Sequence, residues 1–338
     1  MIRALIVIGV IILLAAAPFL PIPIPIIFSD PLNAPGTLNL IGLCFVFGGL
    51  ALTYDLVFGF TGLLSFGHAL YFAIGVYVPA VLLAKLHFTL PQALLTTAAM
   101  AIIVPLLIGA VSLRVRDTQF AMVTLAFAQA GAVYVGQSAL TGGEEGLSLG
   151  SDSLPAFLVG VTNTHNLYWI ALAFLIVSYC AGWWVVNSPT GKVWQAIREN
   201  ERRVAVLGLN PFFYKLSSFV IAGFMAAVAG FVYLLLQGGA SPDVTTANFT
   251  LTLLVMVVLG GVGTLWGAVA GGIIYEYLNF RLVALSNSAG LQGLPAIIRV
   301  PASEPEFILG VLFILLVLFV PGGLAGLVRR HSAAVAAH

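Results

Sequence analysis

Apolar residues run along this chain in blocks long enough to cross a bilayer, and the polar residues are confined to the seams between blocks. A hydrocarbon core about 30 Å thick needs roughly 20 mostly apolar helical residues per crossing. Ten blocks meet or approach that length: 4–20, 38–58, 68–86, 91–113, 119–140, 166–186, 216–237, 250–264, 266–284 and 305–322. The short pair 250–264 and 266–284, split by the glycines from Gly263 to Gly267, reads either as two crossings or as one kinked crossing with a re-entrant piece. The pattern predicts an all-α, polytopic transmembrane bundle of about 8–10 spans, a single domain over residues 1–338. Met1-Ile2-Arg3 and the apolar run after it resemble a secretory leader, but equal apolarity downstream makes a retained first span the simpler reading.

Composition removes several function classes. Of 338 residues, 61% are hydrophobic and 7% charged, whereas soluble domains are roughly a quarter charged. The mean hydropathy of +1.10 leaves no room for a separate soluble catalytic domain of ordinary size. With a net charge of +1 and no basic run longer than Arg202-Arg203 or Arg329-Arg330, there is no electrostatic footprint for nucleic acid. Cys44 and Cys180 sit in apolar runs without metal-ligand or disulfide spacing.

Charge also orients the bundle, because cytoplasmic loops collect Lys and Arg. With the N-terminus inside, the inner loops hold Arg3, Arg114, Arg116, Lys192, Arg198, Arg202, Arg203, Lys215, Arg329 and Arg330, against Lys85, Arg281 and Arg299 outside. Both termini are then cytoplasmic, with outer loops at 21–37, 141–165 and 285–304. The alternating prolines Pro21, Pro23 and Pro25 favour an extended path across the outer surface.

Three segments interrupt the apolar pattern. In Gly59-Phe-Thr-Gly-Leu-Leu-Ser-Phe-Gly-His68, three glycines and three polar side chains follow Asp55. Non-helical backbone at membrane depth is tolerated only where protein buries it or where it lines a cavity. Asp55, Gly62, Ser65, Gly67 and His68 are therefore pathway candidates around a broken or re-entrant segment, the alternative being an ordinary interfacial turn. His68 has no second ligand at metal spacing, which favours a structural role. Gly263, Gly267 and Gly271 repeat the small-xxx-small spacing that lets helices pack closely, with a moving gate as the alternative. Gly260-Gly-Val-Gly263 and Thr141-Gly-Gly-Glu-Glu-Gly146 lack the context of a phosphate-binding loop, although the latter suits contact with a soluble partner outside.

Charge is dense only between Asn187 and Lys215. Val193, Trp194, Ile197, Val204 and Leu207 fall near one helical stripe while Arg198, Glu199, Glu201, Arg202 and Arg203 occupy other faces, which predicts an amphipathic helix near 193–208. Glu199 and Arg203 are spaced to pair, Gly208 suits a C-cap and Pro211 limits continuation. Such a helix lies on lipid, connects two spans in solvent, or docks another protein; its mixed charges argue against simple binding to anionic lipid.

Taken together, Gly62-Leu-Leu-Ser-Phe-Gly-His-Ala69 with Gly75 and Tyr77, Thr141-Gly-Gly with Gly146-Leu147, Ser188-Pro-Thr-Gly-Lys with Ala196-Ile-Arg-Glu-Asn-Glu-Arg202, and Gly260-Gly-Val-Gly-Thr-Leu-Trp-Gly267 resemble the LivM-type permeases of branched-chain amino acid ABC importers. The similarity runs from about Leu38 to Leu327; 286–305 matches no pattern of that family. The resemblance implies a bacterial inner-membrane permease paired with a homologous LivH-type second permease, two cytoplasmic ATP-binding subunits and an external substrate-binding protein. It implies that Arg198, Glu199, Glu201, Arg202 and Gly208 belong to the loop that couples to the ATPase, although the Glu-Ala-Ala form of that loop found in other importers is not spelled out. It also implies no cofactor on this chain, ATP and magnesium residing on partner subunits, in keeping with the lack of a GxxxxGK[ST] stretch. The cargo implied is a branched-chain or related small amphipathic amino acid; relatives of the family carry other neutral amino acids, urea or aromatic acids.

Two rival classes make different demands. A secondary transporter needs intramembrane ionisable groups for ion coupling, for which Asp55 and Glu276 are the acids available. A membrane enzyme needs a clustered catalytic constellation, and none is visible. Reversing Glu199 and Glu201 together to Lys is expected to abolish transport-linked ATPase activity while membrane insertion persists; unchanged coupling would remove the docking role.

Overall fold

The computed structural model describes residues 9, 13–21, 30–115, 117–150, 154–158, 163–286, 304–320 and 322–327. Residues 4–8 and 10–12 of the predicted first span, 22–29 of the outer loop 21–37, the middle of loop 141–165, most of loop 285–304 and both termini lie outside these residues. Ten helices follow: α1 Pro35–Asp55, α2 His68–Ala84, α3 Leu90–Ser112, α4 Asp117–Gln137, α5 Thr164–Asn187, α6 Pro189–Val206, α7 Pro211–Gln237, α8 Ala247–Gly260, α9 Leu265–Ser286 and α10 Pro305–Phe319. Among the described residues one antiparallel pair, β1 Leu147–Ser148 with β2 Gly239–Ala240, ties the α4–α5 and α7–α8 connections together at one end.

Local chemistry sets several boundaries. Proline occupies the first turn of α1, α3, α6, α7 and α10, where its missing N–H costs nothing. Thr89 and Gln92 form a reciprocal capping box on α3, the Ser188 and Asn210 side chains cap α6 and α7, and Gly238 ends α7 at φ +65°.

Seven of the described helices are long and apolar enough to cross a membrane. The most buried is α1, with its π-helical extension Leu56–Phe60; 89% of its apolar stretch is covered by protein. It is the axis on which α5, α7, α8 and α9 pack, and α2 and α3 lean on α7.

Helices α2 and α8 differ from the others in where they begin. The predicted crossing 250–264 is an α8 of 14 residues, about 21 Å at 1.5 Å per residue and too short for a 30 Å core. It is not a full crossing, because the chain enters the bundle through the 238–246 connection before α8 starts. Depth follows from contacts. Thr250, in the first turn of α8, hydrogen-bonds Phe66 and Ala69, and His68 meets Thr53. Thr53 lies about 27 Å down α1 from Pro35. Both helices therefore start packed against the bundle, beside the second half of α1.

Glycine permits this proximity. A Cβ on Gly75 of α2 would collide with the Ala227 carbonyl of α7, and one on Gly230 with the Phe72 carbonyl. The expected small-residue stripe is corrected in part: Gly267 and Gly271 do sit where α9 meets Gly260 and Met256 of α8, but Gly263 lies outside the helix, in the α8–α9 turn at φ +76°. Gly75→Ala is expected to lower stability by about 1–3 kcal/mol through forced separation of α2 and α7, read as a lower thermal midpoint in detergent. Gly136→Ala, where nothing lies within 4 Å of the added carbon, should shift it little.

Candidate functional site

The charged end of the bundle brings the broken segment, the α8–α9 turn and α6 into one junction. After α1, the π-helical turn ends at Phe60 and residues 61–67 are not helical until His68 opens α2. Each turn of this path is held by a side chain. Thr61 Oγ1 donates to the Leu56 carbonyl at 3.0 Å and Tyr54 Oη to the Ser65 carbonyl at 3.1 Å. Ser65 Oγ accepts from Gly67 N, and Thr124 Oγ1, on α4, accepts from Phe66 N at 3.1 Å. Thr250 Oγ1 accepts from Ala69 N and donates to the Phe66 carbonyl, both at 3.1 Å. His68 Nε2 lies 2.9 Å from Thr53 Oγ1 in a site that leaves the residue 1% exposed. Backbone groups that lipid would leave unsatisfied are thus bonded to three helices, α1, α4 and α8.

Asp55 is fully buried, and its Oδ1 accepts from Gly263 N at 2.8 Å. Arg198 of α6 donates from Nη1 to the Gly59 carbonyl, so one cation and one carboxylate meet across the same two glycines. Neither glycine has room for a side chain: a Cβ on Gly59 would strike Asp55 Oδ1, and one on Gly263 would lie 2.7 Å from Arg198 Nη1. Gly62, at φ +80°, packs against the Cβ and Cγ of Arg198. The Arg198 guanidinium is close enough to act on the Asp55 carboxylate, which eases the cost of an acid at membrane depth.

The helix predicted near 193–208 is broken. Asn200 adopts extended backbone (φ −162°, ψ 100°), and its Oδ1 accepts from Arg203 N, restarting the helix. The break removes the i,i+4 register. Among the described residues Glu199 and Arg203 form no ion pair, and Glu201 instead meets Lys215 at 2.6 Å. Trp194, Ile197 and Val204 are buried as the stripe predicts, but Leu207 is 78% exposed and Val206 87%. Glu199 and Arg202 are exposed, and Gly208 follows the helix at φ +84° in open space. A cavity of about 440 Å³ opens between the broken segment, the α3–α4 turn and α6, with Gly62, Leu64, Thr118, Arg198, Glu199 and Lys215 on its wall.

The predicted pathway residues Asp55, Gly62, Ser65, Gly67 and His68 therefore lie together and reach the charged segment through Arg198. Sequence reasoning missed Thr53, Thr124 and Thr250, whose only signal is a hydroxyl within an otherwise apolar helix, and the inward turn of Arg198.

Comparison with known proteins now has a geometry to attach to. The family model described as "Branched-chain amino acid transport system / permease component" matches residues 36–320, which takes in the whole junction. The chain belongs to this permease family. Among similar proteins, the high-affinity branched-chain amino acid transport system permease protein LivM of Escherichia coli is 28% identical over 71% of this chain and 62% of its own length. The probable branched-chain amino acid transport permease protein LivM of Methanocaldococcus jannaschii is 27% identical over 55% of this chain and 53% of its own. The autoinducer 2 import system permease protein LsrC of Klebsiella pneumoniae is 32% identical over 58% and 53%. The chain thus spans 62% of the length of the Escherichia coli relative. No solved structure matches the chain. Membership of the permease family, with seven helices fit to cross a membrane, makes this a multi-pass membrane protein of the inner membrane.

Asp55→Ala would leave the partly buried Gly263 N–H without its acceptor and is expected to destabilise the fold by about 1–3 kcal/mol, whereas Asp55→Asn keeps an oxygen there and should lose less. Detergent-solubilised thermal melts distinguish the two, and equal midpoints for Asp55→Ala and the parent chain would show that this bond does not hold the junction.

Proposed function

We propose that this chain is the membrane-spanning permease of an ATP-binding-cassette importer for branched-chain or related small amphipathic amino acids. In this reading it works with a homologous second permease, two cytoplasmic ATP-binding subunits that hold ATP and magnesium, and an external substrate-binding protein. It resides in a bacterial inner membrane with both termini cytoplasmic, and it hydrolyses nothing itself.

The observation that carries the proposal is the junction at Arg198. A charged helix outside the membrane is bonded directly to the broken segment and lies against the α8–α9 turn within it, so a displacement of α6 reaches α1, α2, α8 and α9 without an intervening flexible linker. The outer side of α6 suits a protein partner. Val206 and Leu207 are exposed at the end of the same helix that carries the exposed charges of Arg202 and Arg203, apolar and charged groups together, as at protein interfaces. The roles assigned are these: Arg198 joins the docking helix to the pathway, Glu201 braces it on Lys215, Glu199 and Arg202 face the ATPase, and Gly208 turns the chain back toward α7.

The test is uptake by proteoliposomes holding this chain with its partner subunits. Leucine accumulation that requires ATP inside the ATPase compartment, and that is indifferent to ion gradients, supports the importer. Accumulation that follows an ion gradient and ignores ATP sinks it in favour of a secondary transporter.

A further inference from the structure

The cavity of about 440 Å³ beside the Arg198 junction has a size in the range of small-molecule sites. It lies at the charged end of the bundle, the cytoplasmic one by the distribution of Lys and Arg. The broken segment, the turn from α3 into α4, α6 and the start of α7 enclose it.

Its wall divides into two kinds of surface. Leu63, Leu64, Phe66, Leu113, Phe120 and Ile197 make an apolar side, on which Phe120 and Ile197 are buried. The other side carries Arg198, Glu199, Glu201 and Lys215, whose formal charges cancel. Lys215 Nζ meets Glu201 Oε2 at 2.6 Å, and the lysine side chain is only 14% exposed, so this pair is shielded from water. The remaining valences are open. Among the described residues Glu199 has no bonded partner, Glu201 keeps Oε1 free, and Arg198 spends one nitrogen, Nη1, on the Gly59 carbonyl. A guanidinium has five N–H donors and an ammonium three. Both cations therefore keep donors for an anionic group.

A ligand of one charge would satisfy one sign of this wall and leave the other facing it unpaired. A zwitterion satisfies both, its carboxylate suiting the cations and its ammonium the open carboxylate oxygens. An aliphatic side chain suits the apolar side. We propose that this cavity binds a free α-amino acid with an aliphatic side chain from the cytoplasm, and that its occupancy slows the transporter. That this ligand is the imported cargo rests on the importer reading. The slowing follows from Arg198. A ligand carboxylate offers the guanidinium a bidentate ionic pair in place of one bond to a neutral carbonyl. It thereby draws the side chain from Gly59 and parts α6 from the broken segment. Accumulated product then limits its own import.

The test uses the complete transporter without its external binding protein, whose own ligand site would obscure this one. Cys44 and Cys180 are replaced by Ser, and Thr118→Cys places a thiol at an exposed position on the cavity wall. Leucine at about ten times its Kd should slow maleimide labelling of that thiol about tenfold, the factor by which it depletes the free site. Leucinamide and 4-methylpentanoate, each lacking one charge of the zwitterion, should protect far less. The ATPase rate should fall with leucine over the same concentration range, and in Thr118→Trp, which fills the cavity, whatever rate remains should no longer respond to leucine. Labelling that leucine does not slow, or that leucinamide slows equally, would overturn the site. A thiol already shielded by the ATP-binding subunits and indifferent to leucine would show that the cavity receives a segment of the ATPase, and would overturn it as well. Leucine uptake without protection removes this site and leaves the importer reading standing. Protection and inhibition by leucine in a transporter that imports none of it does the reverse.

Discussion

Backbone that leaves a helix inside a membrane must find its hydrogen bonds within the protein, because the acyl chains offer none. Residues 56–67 and 261–264 break their helices where they are surrounded by protein, and much of the surrounding architecture answers that demand. Hydroxyls from Thr53, Tyr54, Thr124 and Thr250 close the broken segment, while Asp55 supplies the acceptor for the α8–α9 turn. Arg198 supplies the donor for the carbonyl at Gly59. Because the partners come from different helices, the polar groups that make the break tolerable also bind those helices to one another.

Two consequences follow for motion. Helices α2 and α8 start packed against other helices, so the bundle has internal helix ends as well as surface ones, and helix ends are where a packed structure can hinge without breaking its ladders. Glycines at 59, 75, 260, 267 and 271 bring backbones into contact and leave little slack between neighbours. A push on α6 therefore meets a stiff joint rather than a cushion of side chains. Tightly packed interfaces move between discrete arrangements rather than deforming continuously.

Much of this was legible in the sequence because lipid enforces a crude rule: apolar blocks mark helices, and glycine with polar residues marks their interruption. The blocks 38–58, 91–113, 166–186 and 216–237 match α1, α3, α5 and α7 to within a few residues, and the glycine-rich stretch after Asp55 is the break. What escaped depended on tertiary contacts. Asn200 reads as a helix interior by pattern, yet its side chain caps the following turn and breaks the register on which the Glu199–Arg203 pairing relied. Gly263 fits a helix-packing repeat by spacing, but the turn requires φ +76° there. Threonines at 53, 124 and 250 are unremarkable in apolar runs, and only the fold shows that they face one segment. Arg198 looked like one exposed charge among several, since nothing local tells which charge of an amphipathic helix turns inward.

The central claim is that α6 and the broken segment move as one body. It is tested most directly by measuring electron–electron distances between spin labels in the complete transporter, without nucleotide and with ATP trapped. Labels at exposed positions Ala196 on α6 and Leu64 in the broken segment report on the joint, and labels at Ala196 and the exposed Trp184 on α5 report on α6 against the rest of the bundle. The account predicts an unchanged 196–64 distance while the 196–184 distance shifts between the two states. A 196–64 distance that changes when ATP is trapped, with 196–184 constant, would contradict it.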